Sequence, residues 1–232
     1  MSVKNIFESR LTRRSAISNT ALSIGALMLS ACTSTAPSPA PKVRTETPVP
    51  PHIKDMYGYL PNERFPVPAV DISKIPPRFY RQVVDNPTGE RAGTIVVDTN
   101  RYYLYLVLSD NKAMRYGVGL GRAGFGWSGK GVIQWKQKWP TWTPPAEMIE
   151  RQPELAKYSA ANGGMSPGLD NALGARALYI FQDGQDTLYR LHGTMEEWSI
   201  GKAVSSGCVR LLNHDVINLY DRVTNGSPII VR

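Results

Sequence analysis

The sequence predicts a mainly β domain with few helices, and three observations carry that prediction. Alternating apolar runs recur from Gly93 onward, turn signals separate them, and helical periodicity is confined to a short stretch near the C-terminus. The first strand signal is "TIVVD", followed by "RYYLYLVL", in which Tyr103, Tyr105 and Val107 alternate with Leu104, Leu106 and Leu108. Thr99 and Asn100 separate the two runs and predict a hairpin. "AMRYGVGL" follows Asp110-Asn111 as a further strand, and "GVIQW", "ALYIF" and "TLYRLH" come later, the last two split by the turn sequence "QDGQD". Near the end, "NHDVINLYDRV" puts Val216, Leu219, Tyr220 and Val223 on one stripe, with Asn213 as the expected N-cap and Asn225-Gly226 as the stop. A shorter helix is expected from Thr143, whose neighbours Pro144 and Pro145 suit a first turn. "PIIVR" closes the chain as a strand.

The N-terminal third has a different character. Residues 1–32 have the layout of an export signal: Lys4, Arg10, Arg13 and Arg14 precede an apolar stretch, Ser15 to Ala31, that is too short and too polar to span a bilayer comfortably. The Arg13-Arg14 pair suggests the twin-arginine route. The closing "LSAC" resembles the lipobox of bacterial lipoproteins, which makes Cys32 the expected lipidation site and the cell envelope, or periplasm, the expected location. Lipidation would consume the Cys32 thiol and keep it from pairing with Cys208. Residues 33–53, rich in Pro, Thr and Ser, read as an extended tether that contains His52, and residues 54–91 as an irregular lead-in that wraps the domain. The formal charge is +8; the signal holds four basic residues against Glu8, so the mature chain keeps +5. That excess suits anionic envelope polymers. No basic block interleaved with aromatics supports nucleic-acid binding, and an exported chain is in the wrong place for it.

Two glycine motifs lack the context that their chemistry needs. "GLGRAG", Gly119 to Gly124, matches a dinucleotide-binding pattern, but a glycine-rich stretch and a strand follow it rather than a helix. Gly124 to Lys130 approaches a phosphate loop, but Gly131 stands where a hydroxyl should bind magnesium. Both read as a glycine loop between strands.

"SSGCVRLLN", Ser205 to Asn213, presents the one cysteine beyond the signal. Free cysteine is often an inert buried residue, yet here small polar residues precede the thiol. Zinc is unsupported, because Cys208, His192 and His214 have no ligand spacing. A phosphatase loop is unsupported too, since Arg210 follows too closely. His214, at the helix start, is expected at the surface or in a cap. His192 ends the strand "TLYRLH" ahead of Gly193, a rigid position for a catalytic imidazole. Cys208 and His192 therefore read as nucleophile and base, the imidazole easing thiol ionisation. Backbone N–H groups of Ser206, Gly207 and Cys208 could converge on an oxyanion.

The run "LHGT…IGKAVSSGCVRLLNHDVINLYDRV", Leu191 to Val223, resembles the signature of the L,D-transpeptidase (YkuD) family, and the likeness extends to "GTIVVDTNRYYLYLV", "WPTWTPP" and "LGARALYIF". The resemblance implies a β-sandwich catalytic domain over residues 92–232 with no metal or organic cofactor. It implies that Cys208 is acylated by a peptidoglycan stem tetrapeptide after diaminopimelate, with release of D-alanine and transfer to an amine. His192 is the implied base, the Gly193 carbonyl the group that orients it, and Arg210 the motif arginine. Arg210 is expected either to bind substrate carboxylates or to brace the loop on Asp215 or Asp221. Ser206 stands where the family often has histidine. Stem peptides are the expected partners, with envelope proteins as possible acyl acceptors and the membrane reached through the lipid anchor. Water as acceptor would instead give hydrolysis, and a lipoprotein that only grips peptidoglycan is the non-enzymatic alternative. A papain-like reading is disfavoured, because there the cysteine precedes the histidine.

Overall fold

The computed structural model describes residues 49–122, 126–205 and 207–232. The export signal, the lipidation site Cys32 and all but the last residues of the expected tether lie outside them. The described residues form one compact unit. Its strands are β1 (Gln82–Asp85), β2 (Ile95–Asp98), β3 (Tyr103–Val107), β4 (Lys112–Gly117), β5 (Leu120–Gly121), β6 (Gly129–Lys138), β7 (Arg176–Gln182), β8 (Gln185–Thr194), β9 (Ala203–Ser205), β10 (Val209–Leu212) and β11 (Ser227–Val231). The helices are α1 (Pro51–Met56), α2 (Ala146–Arg151) and α3 (Asn213–Arg222).

Nine strands make one sheet in the order β1-β4-β3-β2-β11-β6-β7-β8-β10, and β5 pairs with β9 in a second, small sheet. One end of the large sheet is tied back to the chain beyond β4: Gly119 exchanges both backbone hydrogen bonds with Arg210 of β10, at 2.9 and 2.8 Å. The result is the sheet-dominated β-sandwich that the sequence predicts. Hairpin chemistry follows from the turns. Asp110-Asn111 and Asp183-Gly184 each adopt positive φ at both central positions, the conformation whose twist matches paired strands. Between β2 and β3 the turn is longer than expected, because pairing starts only at Asp98 with Tyr103.

The core lies on the concave face. Ile95, Val97, Leu104, Leu106, Leu178, Ile180, Leu191, Val209 and Leu211 point inward from alternate strand positions and meet Val216 and Leu219 of α3 and Val223 just after it. Lys136 of β6 donates to the carbonyls of Tyr220 (2.6 Å) and Val223, closing the C-terminal end of α3 with a positive charge.

Four expectations are corrected. The last residues assigned to the tether, His52 among them, belong to α1, whose Ile53 is buried against the domain. The lead-in is less irregular than expected: it supplies β1 at the sheet edge and packs Tyr57, Ile75, Phe79 and Tyr80 against Ile200 and Leu212. Asn213 is not a cap, since its side chain reaches sideways: Oδ1 accepts from the Ala175 N–H at 2.9 Å and Nδ2 donates to Met195 Sδ at 3.0 Å. His214 is buried rather than exposed, with Nε2 donating to the Gly58 carbonyl at 2.6 Å. That bond is long-range in sequence, which explains why local pattern could not foresee it.

Candidate active site

β8 and β10 run side by side in parallel, with His192 opposite Arg210 and Leu191 opposite Val209. Because side chains alternate across a strand, Leu191, Val209 and Leu211 enter the core while His192 and Arg210 share the opposite face. One step before β10 the same register sets Cys208 beside Arg190. Cys208 and His192 thus lie on one face of adjacent strands, two positions out of step.

The imidazole is held in one orientation. His192 is 5% exposed, and its Nδ1 lies 2.9 Å from the Gly193 carbonyl oxygen. A carbonyl can only accept, so Nδ1 carries the proton and Nε2 keeps its lone pair. Gly193 is gripped in turn. Its N–H donates to Leu173 O at 3.0 Å, and a Cβ there would come within 2.1 Å of Asn213 Oδ1. Gly174, at φ +61°, backs the same peptide so closely that a Cβ would lie 2.6 Å from the Gly193 carbonyl carbon. Only glycines fit this junction. The sequence points to Gly193 through its place after His192; Gly174 and Asn213 carry no such signal, because their contact is made by chain folding.

Electrostatics leave the pair neutral. Burial pushes His192 down to about 4, helped by the charges of Arg210 and Arg190, while the Gly193 hydrogen bond acts the other way. Although Cys208 keeps part of its surface open, desolvation also pushes its thiol above the ordinary value, opposed by the Arg190 N–H and by the two arginines. Burial thus disfavours the charged form of both groups, which works against the expected easing of thiol ionisation by the imidazole.

The loop around the thiol is organised by Ser205, which the sequence could not single out from its neighbour. Ser205 Oγ donates to the Cys208 carbonyl at 2.8 Å and accepts the Gly207 N–H at 3.3 Å. Gly207 has φ +139°, a conformation that favours glycine. Ser206 lies outside the described residues. Arg210 binds Glu196 at 2.6 Å, so its ionic partner is neither Asp215 nor Asp221; Asp215 belongs to Arg81, at 3.3 Å. Arg190, also missed, is locked bidentately to Asp186 at 2.7 and 2.8 Å. Among the described residues, no group of three or more His, Cys, Asp or Glu side chains is arranged to hold a metal ion.

A model of the L,D-transpeptidase catalytic domain matches residues 92–231. The probable L,D-transpeptidase YbiS of Escherichia coli strain K12 is 32% identical over 151 residues, 62% of this chain and 45% of that protein. The probable L,D-transpeptidase ErfK/SrfK of the same strain is 34% identical over 139 residues, 58% and 42% of the two chains. This chain therefore spans less than half the length of both curated relatives. Among solved structures, a Brucella melitensis protein named a probable carnitine operon oxidoreductase is 44% identical, with a TM-score of 0.47, over 66% of this chain and 94% of that one. With the family model covering more than half of its length, the chain belongs to the L,D-transpeptidase (YkuD) family.

Proposed function

We propose that this protein is a peptidoglycan L,D-transpeptidase that works through a Cys208 thioester. The observation that carries the reading is the Nδ1–Gly193 bond, which leaves the basic Nε2 of His192 on the face that Cys208 occupies. In the first half-reaction Nε2 takes the Cys208 proton as sulfur attacks the carbonyl carbon of diaminopimelate. The tetrahedral oxyanion is held by backbone N–H groups of Gly207 and Cys208, with Ser206 as a further donor. Collapse breaks the C–N bond, and His192 returns the proton to the departing D-alanine amine. In the second half-reaction an amine attacks the thioester, gives its proton to Nε2, and the thiolate leaves and takes that proton back.

A neutral pair suits this sequence. A depressed imidazole is unprotonated and ready to accept, and a raised thiol loses its proton only as the new bond forms. The Gly207 N–H needs only to release a long contact to Ser205 Oγ to face an oxyanion, and Gly207's φ aims the peptide. Export, with a lipid on Cys32, would set the domain in the envelope beside its polymer.

Incubation of the purified protein with disaccharide tetrapeptide, followed by mass, tests the reading. Loss of D-alanine with a cross-linked dimer is expected. A monomeric tripeptide product identifies water as acceptor, and unchanged substrate overturns the proposal.

A further inference from the structure

We infer that Trp135, backed by Tyr179 and Arg190, is a subsite for the glycan end of the donor substrate. This rests on the transpeptidase reading and adds to it the part of the substrate that lies beyond the stem peptide.

One row of residues crosses the outer face of the sheet from the thiol. Trp135 is opposite Tyr179, Tyr179 is opposite Arg190, and Arg190 flanks Cys208. The core-facing neighbours, Ile133, Leu178, Ile180 and Leu191, confirm that this row points away from the core. Its members are stacked like plates. The rings of Trp135 and Tyr179 lie 3.6 Å apart at 8°, and the Arg190 guanidinium sits 4.5 Å from the other face of the row's tyrosine. Asp186 fixes that guanidinium with two hydrogen bonds, so the stack is braced at its inner end.

The outer end is open. Tyr179 is 7% exposed, whereas Trp135 is 39% exposed despite having one face covered. A large indole left this open costs hydrophobic stabilisation, and a rigid aromatic face held by a stacked partner suits ligands with weakly positive C–H surfaces. The pyranose ring offers such a surface, and its hydroxyl and N-acetyl oxygens can accept from an indole N–H.

Distance selects the glycan rather than the peptide. Neighbouring strands are ~4.8 Å apart, so three steps put Trp135 about 14 Å from Cys208. The attacked carbonyl belongs to the third stem residue, and an extended chain covers at most ~3.6 Å per residue. The stem therefore ends about 11 Å from sulfur, about 3 Å short of the indole, so the first sugar ring spans the remaining distance.

The test uses Cys208→Ala protein, which retains substrate without turnover, titrated with GlcNAc-MurNAc-tetrapeptide and with the free tetrapeptide. The sugar-bearing ligand is expected to bind about tenfold more tightly. Trp135→Ala should bring it down to the level of the free peptide, while Trp135→Phe, which retains a ring and safeguards the fold, should keep part of the advantage. Equal weakening of both ligands by Trp135→Ala, or no advantage for the disaccharide, overturns the subsite alone. Binding of neither ligand, with no transfer by the unsubstituted protein, overturns the transpeptidase reading as well.

Discussion

His192 and Asp215 are both buried ionisable side chains, one at the end of β8 and the other in the first turn of α3, yet their surroundings are built to opposite ends. Asp215 has no exposure, and both oxygens are engaged: Oδ1 accepts from Arg81 at 3.3 Å and Oδ2 from the Tyr57 hydroxyl at 3.2 Å. The Tyr57 oxygen accepts in turn from the Arg81 N–H at 2.7 Å, and Arg81 also reaches the His214 carbonyl. This network fastens the lead-in to the catalytic domain. His192 bonds the Gly193 carbonyl through Nδ1, and its other nitrogen keeps a lone pair. Burial spent on an ionic and hydrogen-bonded network yields an anchor, and burial around a ring whose second nitrogen keeps its lone pair yields reactivity. The comparison separates variants that should change chemistry from those that should change stability.

The largest effect expected is on chemistry. Cys208→Ala should abolish transfer and carbapenem acylation with the melting temperature nearly unchanged, because a loop thiol contributes little packing. An adduct mapped to another residue, or full activity in the variant, would sink the assignment. His192→Ala should slow acylation by about 10²–10⁴-fold. The loss should shrink at high pH, where the thiol ionises unaided, although burial moves that range above the usual one for cysteine.

The anchor should respond in stability. Arg81→Ala leaves the Asp215 carboxyl buried without its ionic partner, and such a change costs about 3–5 kcal/mol. Calorimetry would read this as a lower melting temperature. A melt that does not move would show that the lead-in is merely apposed to α3.

pH sharpens the contrast, because the two groups have opposite linkage. Burial raises the folded-state Asp215 carboxyl from 3.8 to about 7, so between those values the native state holds more protons, and this group's contribution is lost as pH rises. His192 is lowered from 6.5 to about 4, so between those values the unfolded state holds more protons, and its contribution is lost as pH falls. In the shared window the slopes oppose each other. Asp215→Asn should unmask stability rising from pH 4 to 6.5, and His192→Gln stability falling over the same range. Parallel slopes in the two variants would contradict the burial assigned to one of the groups.

A smaller effect is expected at Asn213, which positions the Gly193 carbonyl rather than touching substrate. Asn213→Ala should lower the acylation rate about tenfold to a hundredfold, since small misplacements are costly in catalysis. Nitrogen chemical shifts should report loss of the single His192 tautomer. Asn213→Asp keeps the acceptor for Ala175 but adds a negative charge, so it should restore the tautomer and raise the His192 pKa.

What was legible in the sequence was what local pattern encodes. Alternation in "RYYLYLVL", the turn residues at Asp183-Gly184 and the stripe of α3 gave the β architecture, and His192 and Cys208, singled out in the sequence, lie on neighbouring segments of the sheet. Illegible were the contacts made by chain folding. Asn213 looked like a cap because its type suits one, but the backbone of Ala175 claims its oxygen. His214 looked exposed because the Gly58 carbonyl that covers it is 156 residues away. Thiol environment is hidden for the same reason: a neighbouring imidazole is visible in the sequence, and the burial that desolvates Cys208 is not.

Arg210 should give the smallest effect and the finest test. Its pair with Glu196 is partly exposed, with side chains 22% and 51% accessible, and such pairs contribute about 0–1 kcal/mol. The arginine nonetheless shares a face with His192 and Cys208, and its charge helps to hold His192 down. Glu196→Gln separates its two possible duties, because it releases the guanidinium without removing it. If Arg210 serves substrate carboxylates, freeing it should lower KM for tetrapeptide while kcat holds, and Arg210→Lys should raise KM because an ammonium cannot make the paired contact. If Arg210 only braces the segment around Glu196, both variants should lower the melting temperature slightly and slow peptide and carbapenem alike. Either way Arg210→Gln should raise the His192 pKa, since a positive charge leaves its vicinity, and a titration unchanged in that variant would remove Arg210 from the electrostatics of the site.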